Sequence, residues 1–157
     1  MLEYRGMLTD SAYMKEAIDE ARTAAAEGEV PVGAVVVRNG EIIARAHNMV
    51  ESSRSSSAHA EMLAISEAES KVGKWLLGCS MYVTLEPCTM CAGAIVLARI
   101  ANLYIGASDP KAGACGSVSN VVNNGRLNHK VNLVSGIEAG ECSEILKEFF
   151  RERRINR

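Results

Sequence analysis

The sequence predicts an α/β fold in which helices cover both faces of a mixed β-sheet. Short, nearly continuous apolar segments alternate along the chain with longer segments that have helical periodicity. The first two strands flank Asn39-Gly40, a pair that is typical of a tight antiparallel hairpin. A hairpin followed by strand–helix–strand units gives a sheet with both antiparallel and parallel neighbours.

The first helix and the hairpin account for the N-terminal third of the chain. The helix is predicted to begin at Asp10 as its cap and to stop at Gly28. Its apolar residues recur at i+4, namely Tyr13, Ala17, Ala21 and Ala25. A buried strand over 32–37 then pairs with residues 42–44, and a polar loop over 51–57 follows.

The rest of the chain alternates in the same way. A helix is predicted from about His59 to Val72, and the next helix has Pro87 in its first turn. Strands are predicted over 80–85, 102–105 and 131–134. The last helix has apolar residues at i, i+3, i+4, i+7 and i+8, which predicts a face docked on the sheet: Cys142, Ile145, Leu146, Phe149 and Phe150. Trp75 is expected to pack between helix and sheet.

Length and composition indicate one domain. The 157 residues are 48% hydrophobic, which is enough for one core, and no Ser/Gly/Pro-rich linker divides them. We therefore expect a single domain over 1–157, with 1–9 as a flexible N-terminus, and neither a signal peptide nor a membrane span. Five cysteines, two of them in a CxxC pattern, favour metal or thiol chemistry in a reducing, cytoplasmic compartment over a disulfide framework.

Charge is balanced overall but uneven along the chain. A net charge of −2 argues against a broad basic surface for nucleic acid. The final segment KEFFRERRINR, however, contains five Lys or Arg residues against two Glu. These cations either contact phosphates or simply suit the C-terminal end of a solvated helix.

The segment EPCTMC contains the first candidate metal ligands. Cys88 and Cys91 lie at i and i+3, so on one helical turn their sulfurs point the same way. A helix beginning near Pro87 places both thiols at its N-terminus, where the helix dipole favours the thiolate form that binds metal. Two thiolates are too few for a zinc site, so a third ligand is required.

His59 is the third candidate ligand, in the segment AHAE. A catalytic zinc site uses three protein ligands and leaves the fourth position to water. Glu61 then serves as the proton shuttle rather than as a ligand. His59 and Glu61 reach one metal only if their helix meets it end-on, so the prediction requires two helix N-termini that converge. Taken alone, the CxxC pair could be a redox pair, and a histidine before a helix is more often a cap or a surface residue.

The order HAE followed by PCTMC resembles the zinc-dependent nucleoside and nucleobase deaminase superfamily, whose signature it contains. Five further segments extend the resemblance over about residues 11–154 and narrow it to the bacterial tRNA-specific adenosine deaminase family: EVPVGAVVV, YVTLEPCTMCAGA, DPKAGACGS, RLNHKV and ECSEILKEFFRERR.

The resemblance implies a cytidine-deaminase-like three-layer sandwich around a five-stranded mixed sheet. It also implies a homodimer with one Zn²⁺ per subunit, held by His59, Cys88 and Cys91, and no organic cofactor. Glu61 is implied as the proton shuttle in the hydrolysis of adenosine to inosine at the wobble position of a tRNA anticodon.

Substrate contacts are also implied by the resemblance. Asn48 is implied to contact adenine; the alternative is that it is only a turn residue at a strand end. The other implied contacts fall in the base pocket (Val30, Pro31 and Ala60), in a loop beside the flipped nucleotide (Asp109 and Lys111) and on the final helix against the anticodon arm (Phe149, Arg151 and Arg154). His47 and His129 are expected on the surface or behind the ligands.

Two other functions remain open from the sequence. A deaminase of a free base or nucleotide, such as cytosine, guanine or deoxycytidylate, has the same zinc chemistry but does not require the final FFRERR helix or the DPKAGACGS loop. A non-catalytic zinc module that binds RNA normally closes its shell with four protein ligands, whereas three are found here beside Glu61.

Overall fold

The computed structural model describes residues 8–155. In chain order its elements are α1 (Asp10–Ala26), β1 (Gly33–Arg38), β2 (Glu41–His47), α2 (Val50–Ser53), α3 (Ala60–Val72), β3 (Cys79–Leu85), α4 (Thr89–Leu97), β4 (Asn102–Ala107), β5 (Asn132–Ser135) and α5 (Ala139–Ile155).

The five strands form one mixed sheet in the order β2-β1-β3-β4-β5. β1 is antiparallel to both β2 and β3, whereas β3–β4 and β4–β5 are parallel. The β1–β2 turn has positive φ at both central residues, 52° at Asn39 and 78° at Gly40, as a type I′ turn requires. The hairpin and the mixed sheet are therefore as predicted.

Helices pack on both faces of the sheet, which confirms the three-layer prediction. Alternate residues of β1 point to opposite faces. Val35 and Val37 pack with α1 and α5, whereas Ala34 and Val36 pack with α3 and α4. Burial of a valine side chain contributes about 1.5–3 kcal/mol, so register between β1 and its neighbours is strongly specified.

Two helix starts differ from the prediction. Thr9, not Asp10, caps α1, because its Oγ1 accepts a hydrogen bond from the Ala12 N–H at 3.1 Å. The expected flexible segment 1–9 lies outside the described residues up to residue 7. Pro87 is not in the first turn of α4, since Cys88 is the N-cap and the helix begins at Thr89.

Three predictions about side-chain environment and loops are also wrong. Trp75 is 52% exposed, with Lys74 and Arg99 over its ring, instead of packing inside. Phe150 is 44% exposed, so only Phe149 of this pair joins the docked face of α5. The segment 51–57, expected to be a polar loop, contains most of a short helix, α2. The Glu51 N–H of this helix donates to the buried carboxylate of Glu29.

One expectation concerns membranes. Within residues 8–155, every helix is too short or too polar to cross a bilayer.

Candidate active site

Two helix N-termini converge beside the C-terminal end of β3. His59 is the N-cap residue of α3 and Cys88 is the N-cap residue of α4. Only Glu86 and Pro87 separate β3 from Cys88, so the strand end fixes the position of α4. Cys91 lies one turn into α4 and is fully buried. This is the end-on arrangement that the spacing of the candidate ligands requires.

The three predicted ligand atoms are close enough to share one metal ion. His59 Nδ1 lies 3.6 Å from Cys88 Sγ and 3.5 Å from Cys91 Sγ, and all three atoms lie within 4.8 Å of one another. Tetrahedral zinc with usual Zn–N and Zn–S bond lengths separates a nitrogen from a sulfur ligand by about 3.6 Å. The donor set and its spacing therefore fit Zn²⁺.

The charge environment of the thiols also fits a cation. Burial raises the pKa of Cys91, and the nearby charges of Glu61 and Cys88 raise it further. A bound divalent cation supplies the positive charge that a pair of thiolates needs.

Glu61 lies beside the ligand triad, in the first turn of α3. It is 4% exposed, and burial raises its pKa to about 7. Its carboxyl interacts with the Cys91 thiol, which places it next to the metal position. A carboxyl group in this position is suited to exchange protons near neutral pH.

A cavity of about 310 Å³ opens onto the triad. Four of the predicted substrate contacts line it together with His59, Glu61 and Cys88, namely Val30, Asn48, Ala60 and Asp109. Pro31 is buried but is not among the lining residues. The volume lies at the lower end of the range for small-molecule sites and suits a single base.

Asn48 is held in a fixed orientation at the cavity wall. Its Nδ2 donates to the Val30 carbonyl at 3.2 Å, and its Oδ1 accepts from the Val50 N–H at 3.2 Å. Its backbone N–H also donates to the Val32 carbonyl at 3.0 Å. One amide hydrogen and one acceptor lone pair remain for a ligand, which are the two groups needed to bind a purine edge.

A second, larger groove of about 1180 Å³ lies along α5. It contains the remaining predicted RNA contacts, Lys111, Phe149, Arg151 and Arg154. Gly28 and Arg153 line both the groove and the smaller cavity. The predicted site residues therefore lie in two adjacent regions, one around the metal ligands and one along the final helix.

Arg153 was missed by the sequence prediction, which chose its neighbours Arg151 and Arg154. Its Nη2 donates to the Gly28 carbonyl at 2.9 Å, and its guanidinium lies 4.8 Å from the Phe149 ring centroid. Helical spacing could have indicated it, because residues 149 and 153 are i and i+4.

Glu86 was missed as well. Its buried carboxylate accepts hydrogen bonds from the backbone N–H groups of Asp109, Cys115 and Ser117, at 3.0, 3.0 and 3.1 Å, and from the Ser117 hydroxyl. Glu86 therefore fixes the loop that presents Asp109 to the cavity. The only sequence signal was a carboxylate next to a buried strand.

Glu29 performs the same task on another part of the cavity. It is fully buried, and its carboxylate accepts hydrogen bonds from the N–H groups of Glu51 at 2.9 Å and Ser52 at 2.6 Å. Burial opposes the charge, but these donors outweigh it and hold the pKa of Glu29 below its usual value. Glu29 thus fixes α2, whose Val50 and Glu51 line the cavity.

A His–Cys–Cys triad beside a buried glutamate, on a three-layer α/β/α sandwich, defines a hydrolytic zinc deaminase. The comparisons with known proteins agree with this class. The MafB19-like deaminase family model matches residues 8–154, and the chain belongs to that family.

Individual relatives have more specific descriptions than the family model. The chain is 54% identical to the tRNA-specific adenosine deaminase of Bacillus subtilis (strain 168), over 94% of this chain and 92% of the relative. It also resembles a structure from a study of A-to-I editing by tRNA:A34 deaminases at the wobble position, with a TM-score of 0.83 and 43% identity. That likeness covers 86% of this chain and 99% of the other.

A structure of guanine deaminase from Nitrosomonas europaea is also similar, with a TM-score of 0.79 and 25% identity over 91% of this chain and 86% of the other. The fold is therefore shared with a deaminase of a free base.

Proposed function

We propose that the protein hydrolyses adenosine to inosine at the wobble position of a tRNA anticodon. The observation that carries the proposal is the adjacency of two regions. A cavity sized for one base is lined by His59, Cys88 and Glu61, and it meets a cationic groove at Gly28 and Arg153. The 54% identity to a tRNA-specific adenosine deaminase supports the same substrate.

His59, Cys88 and Cys91 hold the Zn²⁺ ion, one per chain. When bound, zinc lowers the pKa of a coordinated water to about 7 and so supplies a hydroxide nucleophile at neutral pH. The convergent ends of α3 and α4 keep the three ligands in place, since each ligand is at or within one turn of a helix start.

Glu61 moves the protons. It accepts one proton from the attacking water and delivers it to the adenine ring as C6 becomes tetrahedral. It then takes the second proton from the new C6 hydroxyl and gives it to the amino group, which leaves as ammonia while the C6 carbonyl forms. The products are inosine and ammonia, so water is the only co-reactant. The burial of Glu61 suits both steps, because a carboxyl whose pKa is close to 7 can both accept and donate a proton at neutral pH.

Asn48 and Ala60 orient the base. The free donor and acceptor of the Asn48 amide face the purine edge, and Val30 supplies an apolar contact. Ala60 lies at the first position of α3, where the backbone N–H has no partner within the helix. Asp109, fixed by Glu86, lies at the side of the flipped nucleotide.

The groove along α5 holds the anticodon arm. Five cations and one carboxylate line it, which favours a polyanion: Lys111, Lys147, Arg151, Arg153, Arg154 and Glu152. Phe149 is buried, and the Arg153 guanidinium lies over its ring. The more exposed Phe150 is free to stack on a base. A wobble base lies in a single-stranded loop, so taking it out of the stack costs little.

The active unit is a homodimer that works in the cytoplasm, where its substrate is found. α4 has no charged residue in its sequence TMCAGAIVL, yet Leu97 is 79% exposed and Met90 36%. A helix that is apolar all round is normally buried, so the outer face of α4 is the surface on which a second copy packs.

The decisive experiment is incubation of the purified zinc protein with an anticodon stem-loop that has adenosine at the wobble position. Inosine in the stem-loop, with no turnover of free adenosine, cytidine or guanine, is the expected result. Turnover of free guanine or cytidine, with an unchanged stem-loop, would instead assign a deaminase of a free base or nucleoside; the similar Nitrosomonas structure is that of a guanine deaminase.

A further inference from the structure

His47, the last residue of β2, is held between two carboxylates. Its Nδ1 lies 2.8 Å from Glu20 Oε1, and its Nε2 lies 2.7 Å from Glu27 Oε1. An ionised carboxylate only accepts hydrogen bonds, so both ring nitrogens must carry a proton for both contacts to form. The geometry therefore calls for the doubly protonated, positively charged imidazole.

Several charges face this ring. Arg45 on β2 lies 3.6 Å from Glu20 and 3.5 Å from Glu16, so it shares the carboxylates of α1 with His47. Glu29 is close enough for its charge to interact with His47, and Glu67 of α3 lines the same surface groove. Burial opposes the charge of His47, but Glu20 and Glu27 outweigh it and raise its pKa above the ordinary value.

Glu27 and His47 are each adjacent in sequence to residues that line the base cavity. Glu27 is the C-cap of α1, and the next three residues, 28–30, line the cavity. On the other side, His47 precedes Asn48, whose backbone and side chain bind the carbonyls of Val32 and Val30. The His47–Glu27 contact thus joins the start of the 28–32 segment to the strand end that holds Asn48.

We propose that protonated His47 is a positioning residue of the deaminase site, holding the cavity wall at 28–30 against Asn48. A neutral ring has one N–H and keeps only one of the two contacts. Glu27 is released first, because its side chain is 48% exposed against 17% for Glu20. The wall then loosens and the base is bound less well, while Glu61 and the zinc ligands are untouched. This role rests on the proposed function.

The test compares wild type with His47→Gln on the stem-loop substrate between pH 6 and pH 9. The ratio of their kcat/KM values removes the titration of Glu61 and of the zinc site, which both proteins share. We expect wild type to be roughly three- to tenfold better at pH 6, mainly through KM, and the ratio to approach one as His47 deprotonates. A ratio that stays constant across this range contradicts the proposal.

His129→Gln is the matched control, because His129 contacts one acceptor, the Ile100 carbonyl at 2.7 Å, away from the cavity. Its ratio to wild type should not change with pH. The protonation of His47 is also measurable without activity, by NMR of the imidazole ¹⁵N nuclei in the zinc-loaded protein. Two protonated nitrogens at pH 6, and a pKa above the usual value, are expected. A singly protonated ring at pH 6 overturns the proposal even where His47→Gln does not fold. Absence of inosine with wild type refutes the function instead.

Discussion

Gly113 packs directly against the buried carboxylate of Glu86. A Cβ at position 113 would overlap Cδ and Oε2 of Glu86 and would lie 2.6 Å from the Asp109 carbonyl oxygen, closer than real Cβ atoms come. Glu86 in turn binds three backbone N–H groups of the loop that includes Asp109. The absence of a side chain at residue 113 is therefore what lets the carboxylate and the loop fit together.

Gly113→Ala should disturb this loop. We expect it to lower the free energy of unfolding by about 1–3 kcal/mol and to raise KM for the stem-loop, because Glu86 or Asp109 must shift. Thermal unfolding and steady-state kinetics measure both effects. Gly140→Ala is the control, since a Cβ there meets nothing within 4 Å in α5, and it should leave stability unchanged or raise it slightly. Equal stability of the two variants would contradict this account.

Glu61→Gln should separate catalysis from metal binding. The amide preserves the size of the side chain but cannot accept and donate the proton, so we expect a loss of about 10²–10⁴-fold or more in kcat. Zinc content, measured by atomic emission, should remain near one per chain. Glu67→Gln, on the same helix but 42% exposed, should keep activity. A Glu61→Gln protein with normal turnover would show that the shuttle is another group.

Cys91→Ala should remove most of the zinc. Two remaining protein ligands cannot hold the ion as three do, and activity should fall together with metal content. Cys142→Ala is the matched control, because Cys142 is equally buried but belongs to α5, on the opposite face of the sheet. Zinc retained by the Cys91 variant and lost by the Cys142 variant would refute the ligand assignment.

The lowered pKa of Glu29 predicts that the protein loses stability as the pH falls. Its pKa in the folded protein is lowered, so the stability it contributes is present above the unfolded pKa of about 4.3 and is lost as pH falls through the folded value. We expect Glu29→Gln to cost about 1–3 kcal/mol at pH 7 and to flatten the decline below pH 5, as measured by denaturant unfolding. Glu51→Gln, whose side chain is exposed, should follow the wild-type curve. Parallel curves for the Glu29 variant and wild type would contradict this assignment.

Leu97→Glu should weaken the proposed homodimer. A charge at this 79% exposed position on the apolar face of α4 must be desolvated when a second copy packs there. Sedimentation should show a shift from dimer to monomer at micromolar concentration. Val134→Glu, at a 42% exposed position on β5, should leave the mass unchanged. A wild-type protein that is monomeric at all concentrations rules out the dimer.

The ligand triad was predictable because its geometry is largely local. Cys88 and Cys91 are one helical turn apart, and His59 and Glu61 lie together at a helix start, so spacing alone indicates how each pair is placed. Glu29 and Glu86 were not predictable in this way. Their partners lie about 22–31 positions further along the chain, and only the folded structure brings those N–H groups to them.

Amphipathic patterns were a weaker guide to individual side chains. Phe149 and Phe150 are both apolar and adjacent, yet only Phe149 of the two is buried, because successive helical positions are about 100° apart. Trp75 was expected inside, but its ring lies under Lys74 and Arg99 at the surface. Strand and helix existence followed from periodicity, whereas caps and exposure depended on tertiary contacts.

The metal ligands and the cationic groove belong to opposite layers of the sandwich. α3 and α4 lie on one face of the sheet with the zinc ligands, and α5 lies on the other. Among residues 8–155, Arg153 is the one residue of α5 that lines the base cavity, where it reaches Gly28. The proposed roles therefore imply that substitutions along α5 change RNA binding without moving the groups that carry out the chemistry.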